Sequence, residues 1–110
     1  MNRSLRAAMA QRAVALFQPD SALRRSLGQV RPTAMKNLAQ AAQAAEVPEE
    51  MEIALRYQAA RKVINDEAAG ALIVELDRLK AENSATACEA FSELLGHIVR
   101  LHKTLPEINR

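Results

Sequence analysis

A chain of 110 residues, 49% of them hydrophobic, is long enough to bury the core of one domain and too short to favour a second. Only 3% of the residues are aromatic and three are glycine, while Ala and Leu dominate, a composition that favours close-packed helices over a sheet. Residues 1–36 carry seven basic side chains and one acidic side chain, whereas residues 37–110 carry eight basic and twelve acidic side chains. A polyanion would therefore be attracted mainly to the N-terminal third.

Prolines at positions 19, 32, 48 and 106 divide the chain, because the residue before a proline is disfavoured in helical geometry. The first helix is predicted to run to about Phe17. Asp20 or Ser21 then offers an oxygen that can cap a second helix, whose apolar stripe continues to Val30. Gly28 weakens or ends that second helix.

The next two prolines are predicted to begin helices. Pro32 suits the first position of a third helix, and Pro48, followed by three acidic residues within four positions, suits the start of a fourth. Glu52 and Arg56 have the spacing of an ion pair on one helix face. The sequence therefore predicts two helices separated by a short break.

The last two helices carry the strongest apolar stripes. Asn65 precedes the fifth, and a capping box formed by Thr86 and Glu89 is predicted to begin the sixth. Leu94 and Ile98 of the sixth helix are assigned, together with Leu95, to the core or a subunit interface.

These segments predict an all-α fold, a compact bundle of about five to six short helices. The predicted domain covers residues 1–110, with a basic part at 1–36 and the C-terminal helices at 48–105.

Catalytic chemistry is not predicted, and neither is a cofactor or a metal site. His97 and His102 are five positions apart, about 140° around a helix, and cannot jointly hold one metal ion as a pair four apart could. A single cysteine, Cys88, suits a reducing compartment, and we interpret it as a small buried apolar residue. No apolar run approaches the roughly 20 residues of a membrane span. We expect a cytoplasmic protein that is not an enzyme.

The first 17 residues are amphipathic, bear arginine and lack acidic residues. That pattern also describes a transit peptide or a helix lying on a membrane surface, although an ordinary core helix carries the same apolar stripe.

Three stretches, taken in order, resemble one known family. They are Asp20-Ser21-Ala22-Leu23-Arg24-Arg25-Ser26-Leu27-Gly28, Leu55-Arg56-Tyr57-Gln58-Ala59-Ala60-Arg61, and Phe91-Ser92-Glu93-Leu94-Leu95-Gly96-His97-Ile98-Val99-Arg100-Leu101-His102-Lys103. The first is similar to a family element that ends in arginine, and the second to Leu-Ala-Tyr-x-Ala-x-Arg. The family is the small helical subunit of type III-A CRISPR effector complexes, the Csm small-subunit family.

The resemblance implies a subunit without nuclease activity that bridges larger effector subunits, stacks with copies of itself and contacts target RNA paired to guide RNA. Cationic side chains on rigid helices would hold a phosphate backbone without reading its bases. The candidate RNA contacts are Arg24, Arg25, Arg31, Lys36, Arg56, Arg61, Lys62, Arg100, His102 and Lys103.

Each candidate has a structural alternative. Arg24 and Arg25 would also suit a solvated helix face, and Arg61 a salt bridge to the acids at 66 and 67. Arg100 and Lys103 would complement the dipole at a helix C-terminus.

The two aromatic candidates have alternatives of the same kind. Tyr57 is expected in the core rather than stacked on a base. His102 is kept as a contact to the RNA backbone, with a satisfied or exposed histidine as its alternative.

Two other functions compete with the RNA-contacting subunit. A helical protein–protein regulator of the dimeric anti-activator type would use the apolar stripes to meet its partner, and the arginines would only keep it soluble. A DNA-binding helix-turn-helix protein ranks last, because Pro32 interrupts the region where its tight turn would lie.

Overall fold

Six helices make up this computed structural model, which describes residues 2–109. The helices are α1 (Arg3–Leu16), α2 (Ala22–Leu27), α3 (Pro32–Ala44), α4 (Pro48–Ala60), α5 (Asp66–Glu82) and α6 (Ala87–His102). No strand occurs between residues 2 and 109. The predicted all-α bundle of five to six helices is confirmed.

The helices begin where side-chain caps and prolines favour a start. The hydroxyl of Ser21, and not the carboxylate of Asp20, caps α2 by accepting a hydrogen bond of 3.3 Å from the amide three residues on. Asn65 caps α5 in the same way at 2.7 Å. Pro32 and Pro48 occupy the first positions of α3 and α4, as predicted, where a missing N–H removes no helical hydrogen bond.

Gly28 ends the second helix and the sixth begins after Thr86, as predicted, but two details of these boundaries differ from the prediction. The second helix already ends at Leu27, with Gly28 as its C-cap, so Val30 is buried in the turn that follows. The side chain of Thr86 makes no capping hydrogen bond, and its hydroxyl lies 3.4 Å from the Asn83 carbonyl instead. The reason is local: φ −107° and ψ 1° at Thr86 differ from the extended backbone that turns an N-cap side chain toward the helix amides.

The core is built around α6. This helix packs against α1 and α3 and also contacts α5, which in turn packs against α2 and α4. Buried side chains from all six helices form one continuous cluster. Leu94, Leu95 and Ile98 lie within it, so of the two predicted alternatives, core or subunit interface, the core is confirmed.

The predicted burial of Tyr57 is wrong, because 55% of this residue is exposed. The inward positions of α4 are Met51 and Leu55, and Tyr57 lies about 200° around the helix from Leu55. Its ring is therefore on the outer face, with the guanidinium carbon of Arg61 5.6 Å from the ring centroid.

The chain folds back after α6 through residues 104–109, here named the C-terminal turn. The amides of Ile108 and Asn109 donate to the Leu105 carbonyl at 3.0 and 2.9 Å. Leu105 is buried and Ile108 packs against the core. The turn is therefore anchored by apolar contacts at two points.

A pair of substitutions in α5 tests this core. Leu72 is 0% exposed and Val74, two positions later, is 61% exposed. Leu72→Ala is expected to lower the free energy of unfolding by about 2–5 kcal/mol, because it leaves a cavity. Val74→Ala, the matched control, should change it by less than about 0.5 kcal/mol. Urea unfolding followed by circular dichroism measures both, and equal losses would contradict the placement of α5.

Candidate nucleic-acid interface

Four of the predicted RNA contacts lie at one end of the bundle. His102 at the end of α6 holds the turn before α3, since its Nε2 atom lies 2.8 Å from the Val30 carbonyl oxygen. The next residues along the chain, Lys103 and Arg31, are both exposed and therefore emerge at this same end.

Lys36 and Arg100 complete the group. Helices α3 and α6 run antiparallel, because Gln43 near the end of α3 and Cys88 near the start of α6 line the same cleft. Lys36 near the start of α3 and Arg100 near the end of α6 thus belong to the end opposite that cleft, and both are exposed. We name Arg31, Lys36, Arg100 and Lys103 the basic edge.

Within the part of the chain that the structure describes, no carboxylate forms an ion pair with the basic edge. Among residues 2–109, Arg31, Lys36 and Lys103 form no ion pair. Arg100 donates a hydrogen bond of 2.6 Å to Nδ1 of His97, a ring nitrogen rather than a carboxylate oxygen. These cations are therefore available to an external phosphate group.

Two other candidates are paired with acids. Arg24 faces Glu107 through two nitrogens, with N···O distances of 2.8 and 3.3 Å. Arg56 donates to Glu52 at 2.9 Å, the pair that the sequence predicts. The carboxylates offset much of the attraction that these two arginines would exert on a polyanion.

The remaining three cations contact neutral groups or none among the described residues. Arg25 donates to the backbone carbonyl of Asp20 at 2.7 Å, and Arg61 donates to the Tyr57 hydroxyl at 3.1 Å. The alternative salt bridge from Arg61 to the acids at 66 and 67 does not form. Lys62 is exposed and has φ 61°, the left-handed geometry common just after a helix, which costs a residue other than glycine about 1 kcal/mol.

His102 must be removed from the candidate RNA contacts, because it is fully buried. Its Nε2 lies 3.0 Å from the Leu27 carbonyl oxygen and 2.8 Å from that of Val30, so the ring N–H donates to the end of α2 and the following turn. A signal for this burial exists in the sequence: position 102 follows Leu95 and Ile98 at helical spacing on the apolar face of α6.

The sequence interpretation missed a buried ionic cluster between α1 and α5. Only 5% of Glu75 is exposed, and both of its oxygens accept hydrogen bonds from Arg12 at 2.8 Å. Arg78 donates to one of the same oxygens. Burial alone would raise the pKa of Glu75, but the two guanidinium groups outweigh it and hold that pKa below its usual value. The three-residue spacing of Glu75 and Arg78 along α5 could have predicted that one ion pair, but no local spacing links Glu75 to Arg12.

Other chemistry is sparse in the part of the chain that the structure describes. No three His, Cys, Asp or Glu side chains converge there to hold a metal ion, and no helix there is long and apolar enough to cross a bilayer. Cys88 is half-buried, and this burial, with Glu50 and Glu49 nearby, raises the pKa of its thiol. The thiol is therefore protonated, and unreactive, near neutral pH.

Comparisons of this chain with protein-family models, with curated proteins and with solved structures find no match. The family resemblance rests on the three stretches of sequence alone.

The ionic cluster at Glu75 predicts a specific pH dependence. Glu75→Gln is expected to lower the free energy of unfolding at pH 7 by about 1–3 kcal/mol, because the carboxylate that accepts from two guanidinium groups is lost. The pKa of Glu75 in the folded protein lies below its ordinary 4.5. Its contribution is thus complete at pH values above 4.5 and disappears as the pH falls through the lowered pKa.

Urea unfolding at pH 7, 5, 4 and 3 tests this dependence. The difference between wild type and Glu75→Gln should shrink as the pH falls. Asp77→Asn is the control, an exposed acid on the same helix that forms no ion pair with Arg12 or Arg78 and should show no such trend. A difference for Glu75→Gln that persists unchanged to pH 3 would contradict the lowered pKa.

Proposed function

We propose that this chain is a non-catalytic small subunit of a type III CRISPR RNA-guided interference complex. In this role it bridges larger backbone subunits and contacts the duplex of target and guide RNA through the basic edge. The protein acts in the cytoplasm and needs no cofactor. Its partners are the other effector subunits, the two RNAs and further copies of itself.

The observation that carries the proposal is the concentration of unneutralised cations at one end of a rigid bundle. Arg31 and Lys36 extend from the start of α3, and Lys103 follows the end of α6, without an ion pair among residues 2–109. Phosphate groups attract such cations regardless of base sequence, which suits a subunit that must accept any guide.

The positions of the resembling stretches also support the proposal. The first stretch forms α2 and the third forms most of α6, and the two meet where His102 hydrogen-bonds to the Leu27 carbonyl. They are far apart in sequence and adjacent in space. The third stretch contains Arg100 and Lys103 of the basic edge, and the first ends three residues before Arg31.

A second function is favoured by the outer face of α4 and α5. Ile53 and Val74 are large apolar side chains that are well exposed. A helical protein–protein regulator would bury such side chains against its partner. In that case the cations would serve only solubility.

Affinity capture from the native host distinguishes the two functions. The tagged chain is expected to co-purify with a guide RNA and larger protein subunits, and RNase treatment should remove the RNA and weaken retention of the partners. Sequencing of the RNA and mass spectrometry of the proteins identify them. Partners that are retained without RNA, and that are insensitive to RNase, would favour the regulator and contradict the CRISPR subunit.

Salt dependence tests the basic edge directly. Arg31→Ala and Lys103→Ala are each expected to reduce the slope of log affinity against log salt by about 0.7 for single-stranded RNA, because each removes one phosphate contact. Fluorescence anisotropy of a labelled oligonucleotide at several salt concentrations measures the slope. Lys80→Ala is the matched control, since Lys80 is already paired with Glu49 at 2.8 Å. If Arg31→Ala and Lys103→Ala both keep the wild-type slope, as Lys80→Ala should, the basic edge does not bind RNA.

A further inference from the structure

The C-terminal turn carries an acid onto one of the candidate RNA-binding arginines. Nη1 of Arg24 lies 2.8 Å from Oε2 of Glu107, and Nη2 lies 3.3 Å from Oε1. Two guanidinium nitrogens thus face two carboxylate oxygens. This paired geometry is the one in which arginine also binds phosphate groups.

Gly28 allows this close approach. A Cβ atom at position 28 would lie only 2.5 Å from Oε2 of Glu107, closer than real Cβ atoms come to any neighbour. The missing side chain therefore leaves room for an oxyanion beside the end of α2. Arg24 and Gly28 together form a small site that fits an anionic group with two oxygens.

The Glu107 side chain can leave this site without unfolding the turn. Leu105 is buried and Ile108 packs against the core, so the backbone on both sides of Glu107 is held independently of the ion pair. Side-chain exposure is 23% for Arg24 and 36% for Glu107, which places the pair at the surface. Surface ion pairs are weak and exchange readily with competing ions.

We propose that Arg24 and Gly28 form a phosphate-binding site that the Glu107 carboxylate occupies until an RNA phosphate displaces it. The inference rests on the proposed function, since RNA supplies the phosphate. It adds a regulatory element to that function: the C-terminal turn lowers the affinity of the free chain for RNA. Arg24 then contributes to RNA binding only when an RNA phosphate lies close enough to displace the Glu107 carboxylate.

Two variants remove the competitor in different ways. Glu107→Gln abolishes the negative charge and Glu107→Ala removes the whole carboxylate, and neither adds an atom to the space beside Gly28. Each is expected to bind single-stranded RNA about two- to fivefold more tightly than wild type, the range that a weak surface ion pair allows. Glu107→Gln should also steepen the slope of log affinity against log salt by about 0.7.

Two further variants serve as controls. Glu46→Gln makes the same change in net charge but lies after the end of α3, away from Arg24, and is expected to leave RNA affinity nearly unchanged. Arg24→Ala/Glu107→Gln lacks the binding arginine and should lose the gain. Fluorescence anisotropy gives the affinities, and thermal unfolding verifies that each variant is folded; Glu107→Ala tests the inference if Glu107→Gln does not fold.

The outcomes separate this inference from the proposed function. If wild type binds RNA and neither Glu107→Gln nor Glu107→Ala binds more tightly, the proposal of a displaceable carboxylate is wrong while RNA binding stands. A gain that persists in Arg24→Ala/Glu107→Gln also overturns the site at Arg24. If no variant binds RNA, both proposals fail. If Glu46→Gln gains as much RNA affinity as Glu107→Gln, the gain comes from net charge alone and the proposed site at Arg24 is wrong.

Discussion

The imidazole of His102 joins the end of α6 to the end of α2, and the arrangement of the cationic surface depends on that contact. The last carbonyl groups of a helix have no partner within the helix, and Nε2 of His102 lies within hydrogen-bonding distance of the Leu27 carbonyl at the end of α2 and of the Val30 carbonyl in the turn that follows. Because the ring is fully buried, this contact is shielded from water. Arg31 and Lys103 flank it and are held at the same end of the bundle.

Folding redistributes the charge that the sequence concentrates in its N-terminal third. Arg12 and Arg24 both belong to that basic third, but acids from the C-terminal half neutralise them, Glu75 in one case and Glu107 in the other. The positive charge of residues 1–36 that remains without an acidic partner is therefore carried by fewer side chains than the composition suggests, notably Arg31. An anionic strand would therefore meet a narrower cationic surface than the composition suggests.

The two ion pairs differ because their burial differs. Glu75 is shielded from water and bound by two arginines, so breaking the cluster would leave a charge in a poorly solvated position. The pair between Arg24 and Glu107 is at the surface, where water and salt compete with it. One interaction therefore suits a structural role between α1 and α5, and the other suits an exchangeable contact.

The sequence by itself determined the number of helices and most of their boundaries, because prolines, caps and apolar spacing act within a few residues. Pro32, Pro48 and Asn65 each begin a helix for such local reasons. Only the tertiary structure decided which side chains are free to bind: burial of His102 and exposure of Tyr57 depend on which helix faces meet. Ion pairs across 63 and 83 residues of chain likewise arise only when packing brings distant helices and the C-terminal turn together, and no local spacing encodes them.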